Sequence, residues 1–238
     1  MRDVPKRAIT AAEKIIVALD VATAEEALDL VRRLQSQVSR FKIGLQLYTA
    51  AGPEVVRQVV RTGAKIFLDL KLHDIPNTVG SAVKTALDLG IDMLTIHLSG
   101  GDAMIRAAVD AAGEKVTLLG VTVLTSQTSE TLRSIGVNEA VENHVLRLAT
   151  LGIQCGVGGL VASAREVAAL RRDVPKNIRL VTPGIRPEWA EAGDQRRVTT
   201  PLEAIEAGAD YLVIGRPITG APDPSAAFQR LLAEFENR

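Results

Sequence analysis

Asp69, Lys71 and Asp74 stand close together in one stretch, Lys65-Ile66-Phe67-Leu68-Asp69-Leu70-Lys71-Leu72-His73-Asp74-Ile75-Pro76-Asn77-Thr78. It begins as an apolar strand and ends by planting three charges. Strand side chains alternate faces, so Asp69 and Lys71 are expected to point the same way. Charges on a strand buried beneath helices are costly unless they pair or do chemistry. The plain alternative is an Asp69–Lys71 ion pair, with Asp74 capping a helix that starts near Ile75-Pro76. The chemical reading is a proton donor. An ammonium flanked by carboxylates stays charged near neutral pH, which suits an acid and not a Schiff-base nucleophile.

The elements that must hold these residues repeat along the chain. Apolar runs fall at residues 15–20, 41–47, 93–98, 116–124, 158–161, 178–185 and 211–217, besides the run from Lys65 that Asp69 and Lys71 close. Helical patterns follow them at residues 24–37, 53–62, 77–89, up to 112, 141–151, 164–172 and 225–235. Thr23 caps the first of these, with Glu25 and Glu26 in its opening turn. Eight short strands alternating with helices predict an α/β fold, a closed (β/α)8 TIM barrel. It is read as a single domain over residues 1–238, with residues 1–13 as an N-terminal extension. A doubly wound sheet is the runner-up, but no early glycine-rich dinucleotide fingerprint supports it.

A barrel of this kind carries its site where the strands end. Asp20 ends strand one, Lys42 lies in strand two, His97 ends strand four, Thr125 follows strand five, Arg186 follows strand seven, and Gly215-Arg216 end strand eight. So many charges on one rim fit a site better than unrelated pairs. His97 alone reads as a packed core residue and is left out of the catalytic set. Gly215 lets backbone approach a ligand and Arg216 offers a planar donor fork, so the last strands point to phosphate. The polar loop from Pro187 to Val198 is long for its place and contains Gly193, as lids do; plain disorder is the competing reading.

Composition bounds the partners. The 28 basic and 28 acidic residues cancel, giving no electrostatic reason to expect nucleic acid or a membrane surface. Cys155 is the only cysteine, so no intramolecular disulfide can form, and no signal-peptide pattern or membrane-length apolar run is present. The expected location is the cytoplasm.

With these residues placed, the chain resembles the bacterial-type orotidine 5′-phosphate decarboxylase family over nearly its whole length. The most specific match is Asp69-Leu70-Lys71-Leu72-His73-Asp74-Ile75-Pro76-Asn77-Thr78, supported by Val123-Leu124-Thr125-Ser126 and Pro183-Gly184-Ile185-Arg186. The resemblance implies conversion of orotidine 5′-monophosphate to uridine 5′-monophosphate and carbon dioxide, the last step of de novo pyrimidine synthesis, without metal or organic cofactor. It implies that Asp69, Lys71 and Asp74 form the catalytic array together with Lys42, and that Lys71 is the proton donor. Asp20 and Lys42 would hold the ribose, Thr125 the pyrimidine, and Arg186, Gly215 and Arg216 the phosphate. Gln195 would bridge base and phosphate from the lid. The implied assembly is a homodimer with shared sites, in which Asp74, Ile75 and Thr78 reach into the neighbouring subunit.

Two other functions are compatible with such a barrel. One is a metal-dependent sugar-phosphate decarboxylase or synthase of the same superfamily, which would put a glutamate metal ligand where this chain has Lys42. The other is a non-catalytic barrel that binds phosphorylated ligands, which would not need Asp69, Lys71 and Asp74 together.

Overall fold

The computed structural model describes residues 10–190 and 199–236. Eight strands form a closed, wholly parallel barrel in chain order: β1 (Ile15–Ala18), β2 (Arg40–Gly44), β3 (Lys65–Leu72), β4 (Met93–His97), β5 (Thr117–Val121), β6 (Gly159–Val161), β7 (Arg179–Thr182) and β8 (Tyr211–Ile214). Closure is made by Ile15, Ile16 and Val17 of β1 against Leu212, Val213 and Ile214 of β8. The helices are α1 (Ala11–Lys14), α2 (Ala24–Leu34), α3 (Leu45–Val60), α4 (Pro76–Leu87), α5 (Gly101–Ala112), α6 (Ser129–Ser134), α7 (Val141–Cys155), α8 (Ala164–Asp173), α9 (Pro201–Glu206), α10 (Arg216–Thr219) and α11 (Pro224–Glu236). A single 3-10 turn, Leu98–Gly100, follows β4.

Alternation along the strands divides the apolar side chains between two cores. Inside the barrel lie Ile16, Phe67, Met93, Leu119, Val181 and Tyr211, among others. Their neighbours Ile15, Val17, Ile66, Leu68, Leu94 and Leu180 face the helices. Each fully buried side chain of this size contributes about 1.5–3 kcal/mol. Residues of the two halves also use one device twice. Gly90 and Gly208 take positive φ, and two residues later Asp92 and Asp210 each accept a backbone N–H from the preceding strand. The donors are Ile66 and Leu180, both at 2.8 Å.

Several boundaries differ from those read in the sequence. Strand two stops at Gly44, and residues 45–47 open α3 instead; a three-residue apolar alternation does not separate a strand from the first turn of a helix. Strand eight stops at Ile214, so Gly215 flanks and Arg216 begins the short helix α10. Helices α6 and α9 occupy segments where the sequence pattern placed no helix. Residues 1–9 of the expected N-terminal extension lie outside the described residues, while α1 starts at Ala11 with a Thr10–Glu13 capping box. Thr23 caps α2 as expected, in a reciprocal capping box with Glu26. Among the described residues no helix is long and apolar enough to cross a membrane.

Candidate active site

The C-terminal ends of β1, β2 and β3 assemble a continuous charge array. Lys71 Nζ donates to both carboxylate oxygens of Asp69 at 2.8 Å. Lys42 Nζ donates to Asp20 Oδ1 at 2.8 Å and lies 3.9 Å from Asp69 Oδ2. Signs alternate along Asp20, Lys42, Asp69 and Lys71, so the four sum to zero within one chain. Lys42 is buried and Asp69 nearly so, whereas Asp20 stands half-exposed at the rim.

Asp69 and Lys71 do face each other, though not by regular alternation. Among the described residues Lys71 is the only non-glycine with positive φ, at 50°. A left-handed conformation costs an L-residue about 1–2 kcal/mol. Pairing of β3 with β4 slips at this point: Phe67 and Leu68 pair with Met93 and Leu94, and the next pair is Leu72 with Ile96. Three residues of β3 therefore stand against Thr95 alone, a bulge beside a site.

Thr95 escaped the sequence reading. It is fully buried, and it faces the barrel interior because its neighbours Leu94 and Ile96 face the helices. Its hydroxyl accepts the Lys71 backbone N–H at 2.8 Å and donates to Asp69 Oδ1 at 2.9 Å. The only signal in the sequence is one polar residue at an inward position of an apolar strand. Gly44 was missed too. A Cβ there would lie 2.8 Å from Lys42 Nζ and 3.3 Å from Asp20 Oδ1, so the glycine leaves room for that pair.

The array forms one wall of a cavity of about 160 Å³. Lys42, Asp69 and Lys71 line it together with Phe67, and Val123, Val161 and Val213 make it apolar elsewhere. Thr125, exposed on the loop after β5, lines the same cavity. A larger hollow of about 290 Å³ lies where β5 and β7 begin, at the opposite end of the barrel, without the paired array. Size alone does not mark the site; the array does. His97, half-buried at the end of β4 with its ring 5.5 Å from that of His73, is held below the usual imidazole range. Burial is the main cause, reinforced by the charges of His73 and Lys71 and opposed by Asp69.

Other expected residues take different positions. Arg186 is buried on the loop after β7, where its N–H bonds to Thr199 O, and Gly215 lies within 3.8 Å of Asp20 Oδ2 as measured from a Cβ built on it. Arg216 is exposed on α10. Gln195 lies outside the described residues. Asp74, Ile75 and Thr78 all stand exposed beyond β3, and among the described residues no ion pair joins Asp74 to the array. Nor does Asp74 cap α4: the cap position is Ile75, with Pro76 next, and no side-chain hydrogen bond closes the helix end. Its Oδ1 instead accepts the neighbouring Ile75 N–H at 2.7 Å.

Nearly the whole chain is similar to known proteins. The model of the family described as "Orotidine 5'-phosphate decarboxylase / HUMPS family" matches residues 13–231. An orotidine 5′-phosphate decarboxylase of Syntrophotalea carbinolica is 49% identical over 235 residues, covering 95% of this chain and 96% of that one. One from Vibrio vulnificus strain YJ016 is 48% identical over 223 residues, covering 92% and 96%. The crystal structure of orotidine 5′-phosphate decarboxylase from Lactobacillus acidophilus superposes with a TM-score of 0.83 at 38% identity, covering 94% of this chain and 99% of that one.

Proposed function

The chain belongs to the orotidine 5′-phosphate decarboxylase / HUMPS family, and from this premise and the charge array we propose that it decarboxylates orotidine 5′-monophosphate to uridine 5′-monophosphate. The observation that carries the reading is the Lys71 ammonium, held by both oxygens of Asp69 at the edge of an otherwise apolar cavity.

The chemistry needs that arrangement. When the bond from C6 of the pyrimidine to its carboxylate breaks, both electrons stay on C6, in an sp² orbital that no neighbouring carbonyl fully delocalises. Lys71 faces the developing charge with a fixed cation and then gives C6 its proton, taking another from solvent after product leaves. Asp69 keeps the ammonium aimed and stands near the departing carboxylate, while Lys42 balances it. Electrostatic stabilisation of the carbanion is the main contribution. One cation does not lower a barrier by the upper part of the roughly 8–23 kcal/mol that enzymes supply. Binding of the remote phosphate by Arg186, Gly215 and Arg216, and of the ribose by Asp20 and Lys42, makes up the rest. Thr125 contacts the pyrimidine, and Gln195 belongs to the loop that joins base to phosphate.

No metal or organic cofactor takes part in the proposed reaction. Two ammonium groups interleaved with the carboxylates oppose a divalent cation. The site is completed across a homodimer by Asp74, Ile75 and Thr78 of a second copy. Ile75 is 66% exposed beyond the end of β3 in the single chain and so is free to meet a partner subunit. The compartment that fits this work is the cytoplasm.

Turnover of orotidine 5′-monophosphate by the purified protein tests the reading directly. Formation of uridine 5′-monophosphate with stoichiometric carbon dioxide is expected, and it should survive exhaustive chelation. Activity lost on chelation and restored by a divalent ion would favour the metal-dependent alternative instead. Binding without turnover would favour the non-catalytic one.

A further inference from the structure

The bulge in β3 leaves the Lys71 N–H without a place in the regular β3–β4 ladder, and a side chain has taken the place of a strand carbonyl. Thr95 Oγ1 accepts that N–H at 2.8 Å and donates its own O–H to Asp69 Oδ1 at 2.9 Å. Both hydroxyl bonds therefore end on the two residues of one ion pair. One fixes the backbone of the lysine at its positive φ; the other fixes the rotation of the carboxylate that receives the lysine's ammonium. Thr95 has no exposed surface and is absent from the cavity lining, so it acts only through these two neighbours.

We propose that Thr95 is a positioning residue for the Asp69–Lys71 pair, setting through one hydroxyl both the lysine backbone and the carboxylate against which its ammonium is aimed. A hydroxyl suits this task because it donates and accepts at once. Valine has the same shape and can do neither. The proposal rests on the decarboxylase reading for its kinetic consequence but not for its structural one. Deleting the hydroxyl takes this acceptor from the Lys71 N–H and leaves Asp69 Oδ1 held by the Lys71 ammonium without its second donor.

The test compares Thr95→Val with Thr95→Ser. Misplacement by about 1 Å can cost about 10²-fold in rate, so Thr95→Val should lower kcat for orotidine 5′-monophosphate by about that factor. KM should stay within about threefold, because Thr95 touches none of the groups assigned to ribose or phosphate. Thr95→Ser should recover kcat to within about fivefold of wild type. Amide hydrogen exchange supplies a readout that does not need activity: the Lys71 N–H should lose protection about tenfold or more in Thr95→Val and keep it in Thr95→Ser. Should valine unfold the chain, Thr95→Ala is read in the same way. A Thr95→Val enzyme within about threefold of wild type in kcat would overturn the proposal, as would a serine variant as damaged as the valine one or unchanged Lys71 protection. A wild-type protein with no turnover would instead overturn the functional reading, and the exchange data would still decide the role of Thr95.

Discussion

The Lys71 ammonium lies 2.8 Å from each oxygen of Asp69, on a backbone that turns left-handed to bring it there. An ammonium so placed has little freedom to drift, and the carboxylate that holds it is itself held by Thr95 and approached by Lys42. Lys71→Ala should therefore remove the proposed proton donor while leaving in place the loops assigned to phosphate. Steady-state assays should show kcat down by more than about 10²-fold, the lower end of what general acid catalysis supplies, while uridine 5′-monophosphate still binds. More than about a hundredth of wild-type turnover would rule Lys71 out as the donor.

Gly44 supplies a steric test of the other half of the array. Its backbone, at φ −103° and ψ −175°, is open to any residue, so alanine brings no conformational strain. The added methyl would stand 2.8 Å from Lys42 Nζ, and the ammonium must move off Asp20. Because that pair is assigned to the ribose, Gly44→Ala should raise KM by about tenfold or more with the thermal midpoint nearly unchanged. A KM within about twofold would show that the Lys42–Asp20 geometry tolerates displacement.

Much of this site was legible before any coordinates. Charges at the ends of apolar runs cannot be hidden in a barrel, so Asp20, Lys42, Asp69 and Lys71 declared themselves, and the structure gathers them. What escaped depends on contacts between distant segments. Thr95 resembles an ordinary β-branched strand residue until the β3 bulge puts Lys71 N–H against it. Gly44 resembles a flexible turn until Lys42 folds back beside it. Period-two reasoning assumes a regular strand, and β3 is irregular at the residue that matters most. The end of strand two was misplaced for a related reason, since Leu45 and Leu47 alternate like a strand while only Leu47 is buried.

The fold itself offers a check at Asp92. Its carboxylate takes the N–H of Ile66, a residue with no exposed surface, and so ties β3 to the turn that starts β4. Asp92→Ala should cost about 1–3 kcal/mol, because a buried donor loses a charged acceptor. Urea unfolding monitored by circular dichroism would measure it. A loss below about 0.5 kcal/mol would mean that water replaces the carboxylate at no penalty.

His97 should make stability depend on pH. Its folded-state value is lowered, so the native protein prefers the neutral ring more than the unfolded chain does. That contribution is present above the ordinary imidazole value of about 6.5 and is lost as pH falls through the lower folded value. Other acids titrate in the same range, so the informative quantity is the difference between wild type and His97→Asn. That difference should shrink as pH drops below about 6.5, and a difference that stays constant would show no linkage at His97.

The proposed shared site rests on Asp74, which is exposed, unpaired with the array in its own chain, and not the cap of α4. If it acts in a neighbour's site, lesions at Lys71 and Asp74 fall in different places of a twofold dimer. Lys71→Ala and Asp74→Ala homodimers should each be nearly inactive. After subunit exchange, one site of a mixed dimer carries both lesions. The other combines an intact Lys71 from one chain with an intact Asp74 from its partner. Random exchange makes about half the dimers mixed and leaves half of their sites whole, so activity should return to about a quarter of wild type. Mass labelling would establish that exchange took place. Full exchange with activity still near zero would mean that Asp74 serves its own chain and that the shared site is wrong.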